Sequence, residues 1–386
     1  MRVAHVITRL IVGGAQENTL ATVLGLHQKK EVSVRLYSGP TTGPEGSLES
    51  TVKSVEGLFQ LISNLVRPVN PIRDFLAYRQ LVHEFRQFQP DIVHTHSGKA
   101  GLIGRLAAKK VGVPLIIHSI HGPSFGAFQG SVANAIFSEA ERFAGARTDH
   151  FITVADAMKT QYLAAGIGRE ENYTQIFSGF DLNPFLASNN SATLRKKLGL
   201  KDDDFVVGKI ARLFELKGHE HLFSIAPNLV RRIPNIRFLL VGDGVLREGY
   251  ERLAKRIGCE ENFIFLGLVP PVEIPKLVGI MDCLVHLSQR EGLPRALPQA
   301  MAAAKPVVAF DCDGAGEVCL DEQTGSLIPA GDLAKLEESL VRLAKDSPLR
   351  QSLGQAGQAF VKEKFSVERL VEDQYQLYQR LLAGND

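Results

Sequence analysis

Short apolar runs alternate with stretches whose apolar positions recur every three or four residues, from one end of the chain to the other. The runs have the length of buried strands, and the stretches that of helices with one apolar face. In the first half, strands are expected at residues 3–7, 32–37, 58–62, 91–94, 115–118 and 150–154. Helices are expected between them at 15–27, 72–88, 99–111, 131–144 and 156–165, with a loop over 41–50. The period fades around residues 178–191, a stretch of Gly, Asp, Pro and Asn that reads as a linker. It restarts with strands at 205–210, 237–241, 263–266, 283–287, 306–310 and 326–328, again with helices between. A final helix over 366–382 carries Val367, Leu370, Val371, Tyr375, Tyr378 and Leu382 near 3.6 spacing.

Strand–helix alternation of this kind builds parallel sheets, so the fold class expected is α/β. Two Rossmann-like domains are expected: 1–178, a linker at 179–191, and 192–365, with 366–386 as a terminal helix. At 386 residues the chain is long enough for both to have cores. Hydrophobic residues make up 45% and charged residues 22%, an ordinary soluble composition. A net charge of +2 argues against a general nucleic-acid binder. No apolar run approaches the ~20 residues of a membrane helix. The opening residues read as a first strand and not as a signal peptide, which places the protein in the cytoplasm. Cys259, Cys283, Cys312 and Cys319 form no CxxC pair, so reduced, mostly buried thiols are expected. In that compartment Asn172 and Asn189 are not glycosylation sites, although each opens an Asn-x-Ser/Thr triplet.

Candidate chemistry collects where strands give way to helices, the edge at which open α/β sheets bind ligands. Foremost is Ser288-Gln289-Arg290-Glu291-Gly292-Leu293-Pro294-Arg295-Ala296-Leu297-Pro298-Gln299. Glu291 can accept hydrogen bonds from sugar hydroxyls, and the backbone around Gly292, Leu293 and Pro294 suits an anionic phosphate. Either Pro294 or Pro298 is expected to open the following helix. Arg212 and Lys217, after the first strand of the second domain, suit a diphosphate: one is a planar fork, the other a point charge. Gly13-Gly14, after the first strand, let a phosphate approach a helix start; without a GxGxxG a nicotinamide enzyme is disfavoured. Gly242-Asp243-Gly244 and Leu266-Gly267 follow two further strands, as do Gly314, Gly316 and Glu317. His121 follows another and could act by hydrogen bonding or local electrostatics. His94-x-His96 would need a third ligand to hold a metal, and the sequence indicates none. Asp202-Asp203-Asp204 reads as an exposed loop; Asp311-Cys312-Asp313 could mimic a metal motif, but Arg212 and Lys217 already offer the positive charge. Arg67, Arg73, Arg79 and Arg86, with Lys109 and Lys110, could form a basic face toward anionic lipid.

The segment from Glu291 resembles the Glu-x7-Glu motif of the retaining glycosyltransferases of family 4, the group 1 transferases, with Gln299 at the second position. Arg212 and Lys217-Gly218 are similar to that family's diphosphate-binding pattern, and the resemblance covers nearly the whole chain. It implies the GT-B fold: two Rossmann-like domains facing across a deep cleft, the last helix crossing back to the first domain. It implies an EC 2.4 hexosyltransferase that uses a UDP- or GDP-linked sugar, with no metal and no other cofactor. Arg212 and Lys217 would hold the diphosphate, Glu291 would orient the sugar, and His121 would lie near its reacting face. Gln299 would contact the ribose, and Gly242, Asp243, Leu266 and Gly267 would lie around the nucleotide, the base being read near Leu266 and Gly267. Gly13 and Gly14 would let acceptor and phosphate meet. The resemblance further implies front-face displacement, domain closure on donor binding, and a glycan or lipid-linked acceptor, with peripheral contact at the inner face of a membrane. A nucleotide-sugar 2-epimerase on the same fold, and a non-catalytic sugar-nucleotide or glycan-binding protein favoured by Gln299, stay open as alternatives.

Overall fold

The computed structural model describes residues 1–43 and 46–384. The chain divides into two compact units, Met1–Phe180 with Ser366–Asp386, and Asp181–Phe365. Both are parallel α/β sheets covered by helices, the Rossmann-like architecture that the alternation predicts.

The first unit holds β1 (Arg2–Ile7), β2 (Ser33–Ser38), β3 (Phe59–Leu61), β4 (Ile92–His96), β5 (Leu115–Ile120), β6 (His150–Thr153) and β7 (Tyr173–Gln175), in the order β3-β2-β1-β4-β5-β6-β7. The second holds β8 (Phe205–Ile210), β9 (Ile236–Val241), β10 (Phe263–Gly267), β11 (Cys283–His286), β12 (Val307–Asp311) and β13 (Gly325–Pro329), in the order β10-β9-β8-β11-β12-β13. In each sheet the order reverses beside the first strand, at β1/β4 and at β8/β11. There the connecting loops part in opposite directions and leave a crevice at the carboxyl edge. Strands covered on both faces must be apolar throughout. In β8, Phe205, Val206 and Val207 are buried, as are all four residues of β11.

Helix Val367–Ala383 belongs to the first unit. Its Leu370, Val371, Leu377 and Tyr378 share a core with Val3, Ile7, Leu36 and Ile117. Ser366 caps it, Oγ accepting from the Arg369 N–H at 3.0 Å.

Some expectations needed correction. Within the stretch read as a linker, 179–191, lies helix Asn183–Leu186, with Phe185 buried. The expected loop 41–50 gives way to helix Glu49–Lys53 at its end, and Pro44 and Glu45 of that loop lie outside the described residues. β7 was missed because Tyr173-Thr174-Gln175 contains no apolar run, whereas the equally short β3 is flanked by Leu58 and Ile62. Neither proline opens the helix after Glu291. It runs Ala296–Ala302, with Pro298 in its first turn, where a missing N–H removes no intrahelical bond. The basic residues do not make one face. On helix Pro71–Phe88, at about 100° per residue, Arg73 points well away from Arg79 and Arg86. Lys109 and Lys110 sit in the last turn of Gly98–Val111.

Candidate active site

The β8 and β11 loops meet at the crevice of the second sheet. Lys217 Nζ donates to Glu291 Oε1, which ties the loop after one strand to the loop after the other. Beside that bond, the Gln289 N–H donates to the Leu216 carbonyl at 2.9 Å. Gly218 makes this approach possible: its φ of 66° is left-handed, and a Cβ there would run into the Leu287 carbonyl. Leu216 also has a positive φ, 65°, a strained position for a branched side chain. Asp313 closes the other side, its Oδ2 accepting the Glu291 N–H at 2.7 Å, and the Gly314 N–H reaches the Gly292 carbonyl at 3.1 Å. Among the described residues Asp313 therefore acts as a backbone clamp.

Burial alone would raise the Glu291 carboxyl. The Lys217 ammonium and the other groups around the carboxylate together outweigh it and hold the group below the usual carboxylate range. His286 stands 3.9 Å from the same oxygen. Burial pushes its imidazole down to about 3, so at neutral pH the countercharge is Lys217. Lys209, on β8, is buried and among the described residues its ammonium has no hydrogen-bond partner; burial lowers it to about 7. His286 and Lys209 were not legible as site residues, because both sit inside apolar strand runs.

Arg212 does not join the Lys217–Glu291 pair. It is exposed, with its guanidinium 5.1 Å from the centre of the Phe214 ring. Its loop is nonetheless built into the same edge. The Leu213 N–H donates to the Asp243 carbonyl at 2.9 Å, and the Gly242 N–H to the Gly267 carbonyl at 3.0 Å. Asp243 also pairs with Arg247 at 3.3 Å. So the structure gathers Arg212, Gly242, Asp243, Leu266 and Gly267 along the β8–β9–β10 edge, and Lys217, Glu291, Gly292, Leu293 and Pro294 along β8–β11–β12. Leu293 and Pro294 are buried, and Gln299 is half-buried on the helix that follows.

The first sheet's crevice is lined differently. Gly13 lies just before helix Gly14–His27, and its carbonyl accepts from the Glu17 N–H at 2.9 Å. His121 terminates a file of imidazoles. His5 Nδ1 is 2.9 Å from His96 Nε2, and His96 Nδ1 is 3.0 Å from His121 Nε2. Burial keeps all of them neutral, His5 falling to about 3 and His121 to about 4. A neutral imidazole donates from one nitrogen and accepts at the other, so the three tautomers are locked to one direction. His94 Nδ1 lies 2.5 Å from Tyr378 Oη and its Nε2 2.7 Å from Ser119 Oγ. The third histidine that the sequence did not indicate is thus His5, opposite His94 across β1 and β4. Nitrogens of His5, His94 and His96 lie within 4.8 Å of one another. In this arrangement they are engaged with one another, with His121, Tyr378 and Ser119. On the sheet's other face, Arg105 and Glu141 form a buried ion pair at 2.9 Å. Glu141 also accepts from Ser124 Oγ at 3.1 Å, which fixes the loop after His121.

Comparison with known proteins agrees with this organisation. The family description "Glycosyl transferases group 1" matches residues 190–360, and "Glycosyltransferase Family 4" matches residues 12–183. UDP-Gal:alpha-D-GlcNAc-diphosphoundecaprenol alpha-1,3-galactosyltransferase of Escherichia coli is 27% identical, over 90% of this chain and 89% of its own length. Capsular polysaccharide biosynthesis glycosyltransferase CapM of Staphylococcus aureus is 24% identical over 93% of each. Among solved structures, Anabaena Alr3699/HepE in complex with UDP superposes with a TM-score of 0.82 at 21% identity, covering 98% of this chain and all of that one. The two matches together span most of the chain and both of its units: this protein belongs to the group 1 glycosyltransferases and has their GT-B fold.

Proposed function

We propose that the protein transfers a hexosyl group from a UDP-linked sugar to a glycan or lipid-linked acceptor with retention of anomeric configuration. The observation that carries this is the Lys217–Glu291 bond across the β8/β11 crevice, a cation for phosphate beside a carboxylate for sugar hydroxyls. Lys217 and Arg212 bind the diphosphate, Glu291 holds the sugar, and Gln299 reaches the ribose as a neutral hydrogen-bonding group. The backbone at Leu266 and Gly267 reads the base, Gly242 and Asp243 shape that edge, and Gly292, Leu293 and Pro294 give the phosphate a polar wall. His121, Gly13 and Gly14 serve the reacting face. In the reaction the bond from the anomeric carbon to the diphosphate breaks and a bond to the acceptor oxygen forms on the same face. The acceptor proton passes to the departing phosphate oxygen. Two cations neutralise that leaving group, so no metal ion is required. The E. coli relative is named for a UDP-sugar donor and a lipid-linked acceptor, and HepE was solved with UDP and with UDP-glucose. Both favour uridine here. A lipid-linked acceptor would bring the protein to a membrane surface, and no helix among the described residues is long and apolar enough to cross one.

A thermal-shift screen with UDP, GDP, ADP and their sugars tests the reading, because a bound nucleotide raises apparent stability by mass action. UDP should stabilise the wild type, and Lys217→Ala and Arg212→Ala should lose the effect. Glu291→Gln should keep UDP binding yet lose about 100-fold or more in transfer. Activity should survive EDTA, and the product anomer read by NMR should match the donor's. Donor inversion at C2 without acceptor, or binding with neither transfer nor hydrolysis, would move the epimerase or the binding-protein reading ahead.

A further inference from the structure

Neutral imidazoles in a line fix one another's protons, and the line His5–His96–His121 has only two possible directions. It crosses three neighbouring strands: His5 lies within β1, His96 ends β4, and His121 follows β5. The rings of His5 and His96 are 12° apart with centres at 5.2 Å, those of His96 and His121 27° apart with centres at 5.3 Å. With nitrogens 2.9 and 3.0 Å apart, these are the separations of nearly coplanar rings joined by N–H···N bonds. His94 packs 4.2 Å from His96 but gives its nitrogens to Tyr378 and Ser119, so the file has no branch there.

The inner end selects the direction. His5 is fully buried, and among the described residues its Nε2 has no partner. Run inward from His121, the file would leave a proton on that nitrogen, an N–H with nothing to receive it. Run outward from His5, it leaves only an unused lone pair. Buried N–H groups without an acceptor are rarer than buried acceptors without a donor. In the outward direction His5 Nδ1–H donates to His96 Nε2, and His96 Nδ1–H donates to His121 Nε2. His121 then keeps its own proton on Nδ1, the nitrogen left for a ligand on a ring that is only partly buried.

We propose that His5 and His96 are positioning residues, which set His121 to face the reacting sugar as an N–H donor and not as a base. This rests on the reading that His121 serves the reacting face, and it adds to that reading the protonation state and the two buried residues that impose it. Long-range proton–nitrogen correlation NMR on protein with isotope-labelled histidine reads which nitrogen of each ring is protonated. His5→Phe, His96→Phe and His121→Ala assign the signals by their loss. The wild type should show Nδ1–H on all three rings. A carboxylate in place of His5 only accepts, so His5→Asp should reverse the file and move the His121 proton to Nε2. Its kcat for transfer should fall about tenfold, the size of one hydrogen bond, with KM for the UDP-sugar held within about twofold. His96→Phe, which adds no charge, should let the His121 proton exchange between the two nitrogens and lower kcat in the same sense. The proposal is overturned if wild-type His121 carries its proton on Nε2 or divides it between the nitrogens, or if neither variant changes kcat. Full transfer by His121→Ala would instead count against the placing of His121 at the reacting face, with the tautomers still read from the spectra.

Discussion

Lys209 is the sharpest case at the scale of one residue. A buried ammonium with no partner among the described residues costs stability, and burial lowers its pKa from 10.5 to about 7. Between those values the unfolded chain binds the extra proton, so the cost is full below about pH 7 and vanishes above 10.5. Lys209→Met should thus raise the unfolding free energy measured by urea denaturation at pH 7, by an amount on the order of a few kcal/mol. The gain should shrink steadily toward pH 10; a gain independent of pH would show that the side chain finds a partner. The imidazoles run the same way over a lower window. His5, with a pKa lowered from 6.5 to about 3, and His121, lowered to about 4, are buried neutral, and each favours the unfolded state once that state takes up a proton. Chemical denaturation of the wild type should show stability falling as pH drops from 6.5 toward 4. His5→Phe should flatten that slope.

Among the elements, loops carry the function and strands set their spacing. Gly218 belongs to the strand-to-helix turn whose positive φ and closeness to Leu287 admit no side chain. Gly218→Ala should cost about 2 kcal/mol or more and weaken UDP binding together with stability, since Lys217 is displaced with it. In the first unit, Glu141→Ala should cost roughly 3–5 kcal/mol by leaving Arg105 buried and uncompensated. Thermal melting would register it, and Glu141→Gln should recover part of the loss. The elements themselves were largely legible: apolar runs placed twelve of the strands within a few residues, because parallel strands are apolar on both faces. β7, Tyr-Thr-Gln, carries no apolar run to read, and helix Ala296–Ala302 begins between the two prolines expected to mark its start. Candidate site residues were legible where they sit in loops, as Glu291, Lys217 and Asp243 do. Those inside strands were not. His5, Lys209 and His286 look in the sequence like interruptions of a core; the register that sets His5 opposite His94, and the closeness of His286 to Glu291, give two of them a context. The joining of Lys217 to Glu291 was equally hidden, since 74 residues separate them in sequence.

At the scale of the whole molecule, the first unit is discontinuous. Residues Ser366–Asp386 return to it after the entire second unit has intervened. The helix Val367–Ala383 adds Leu370, Val371, Leu377 and Tyr378 to a core begun by β1, and Tyr378 Oη contacts His94. Leu370→Asp with Leu377→Asp should therefore lower the unfolding temperature of the first unit while UDP binding by the second persists at lower temperature; calorimetry in the presence and absence of UDP separates the two.

The return of that helix also orders events at the ribosome. Strands β1 to β7 emerge first, yet the apolar surface around Leu20, Val23 and Ile117 lacks the cover of helix Val367–Ala383 until the whole second unit has been made. At some 5–20 residues per second the wait is on the order of ten seconds or more. The second unit, continuous in sequence, is free to fold during that interval. A nascent chain stalled before residue 366 should consequently present a sticky first unit beside a finished second one, and the demand for chaperones should fall abruptly once Tyr378 has cleared the exit tunnel.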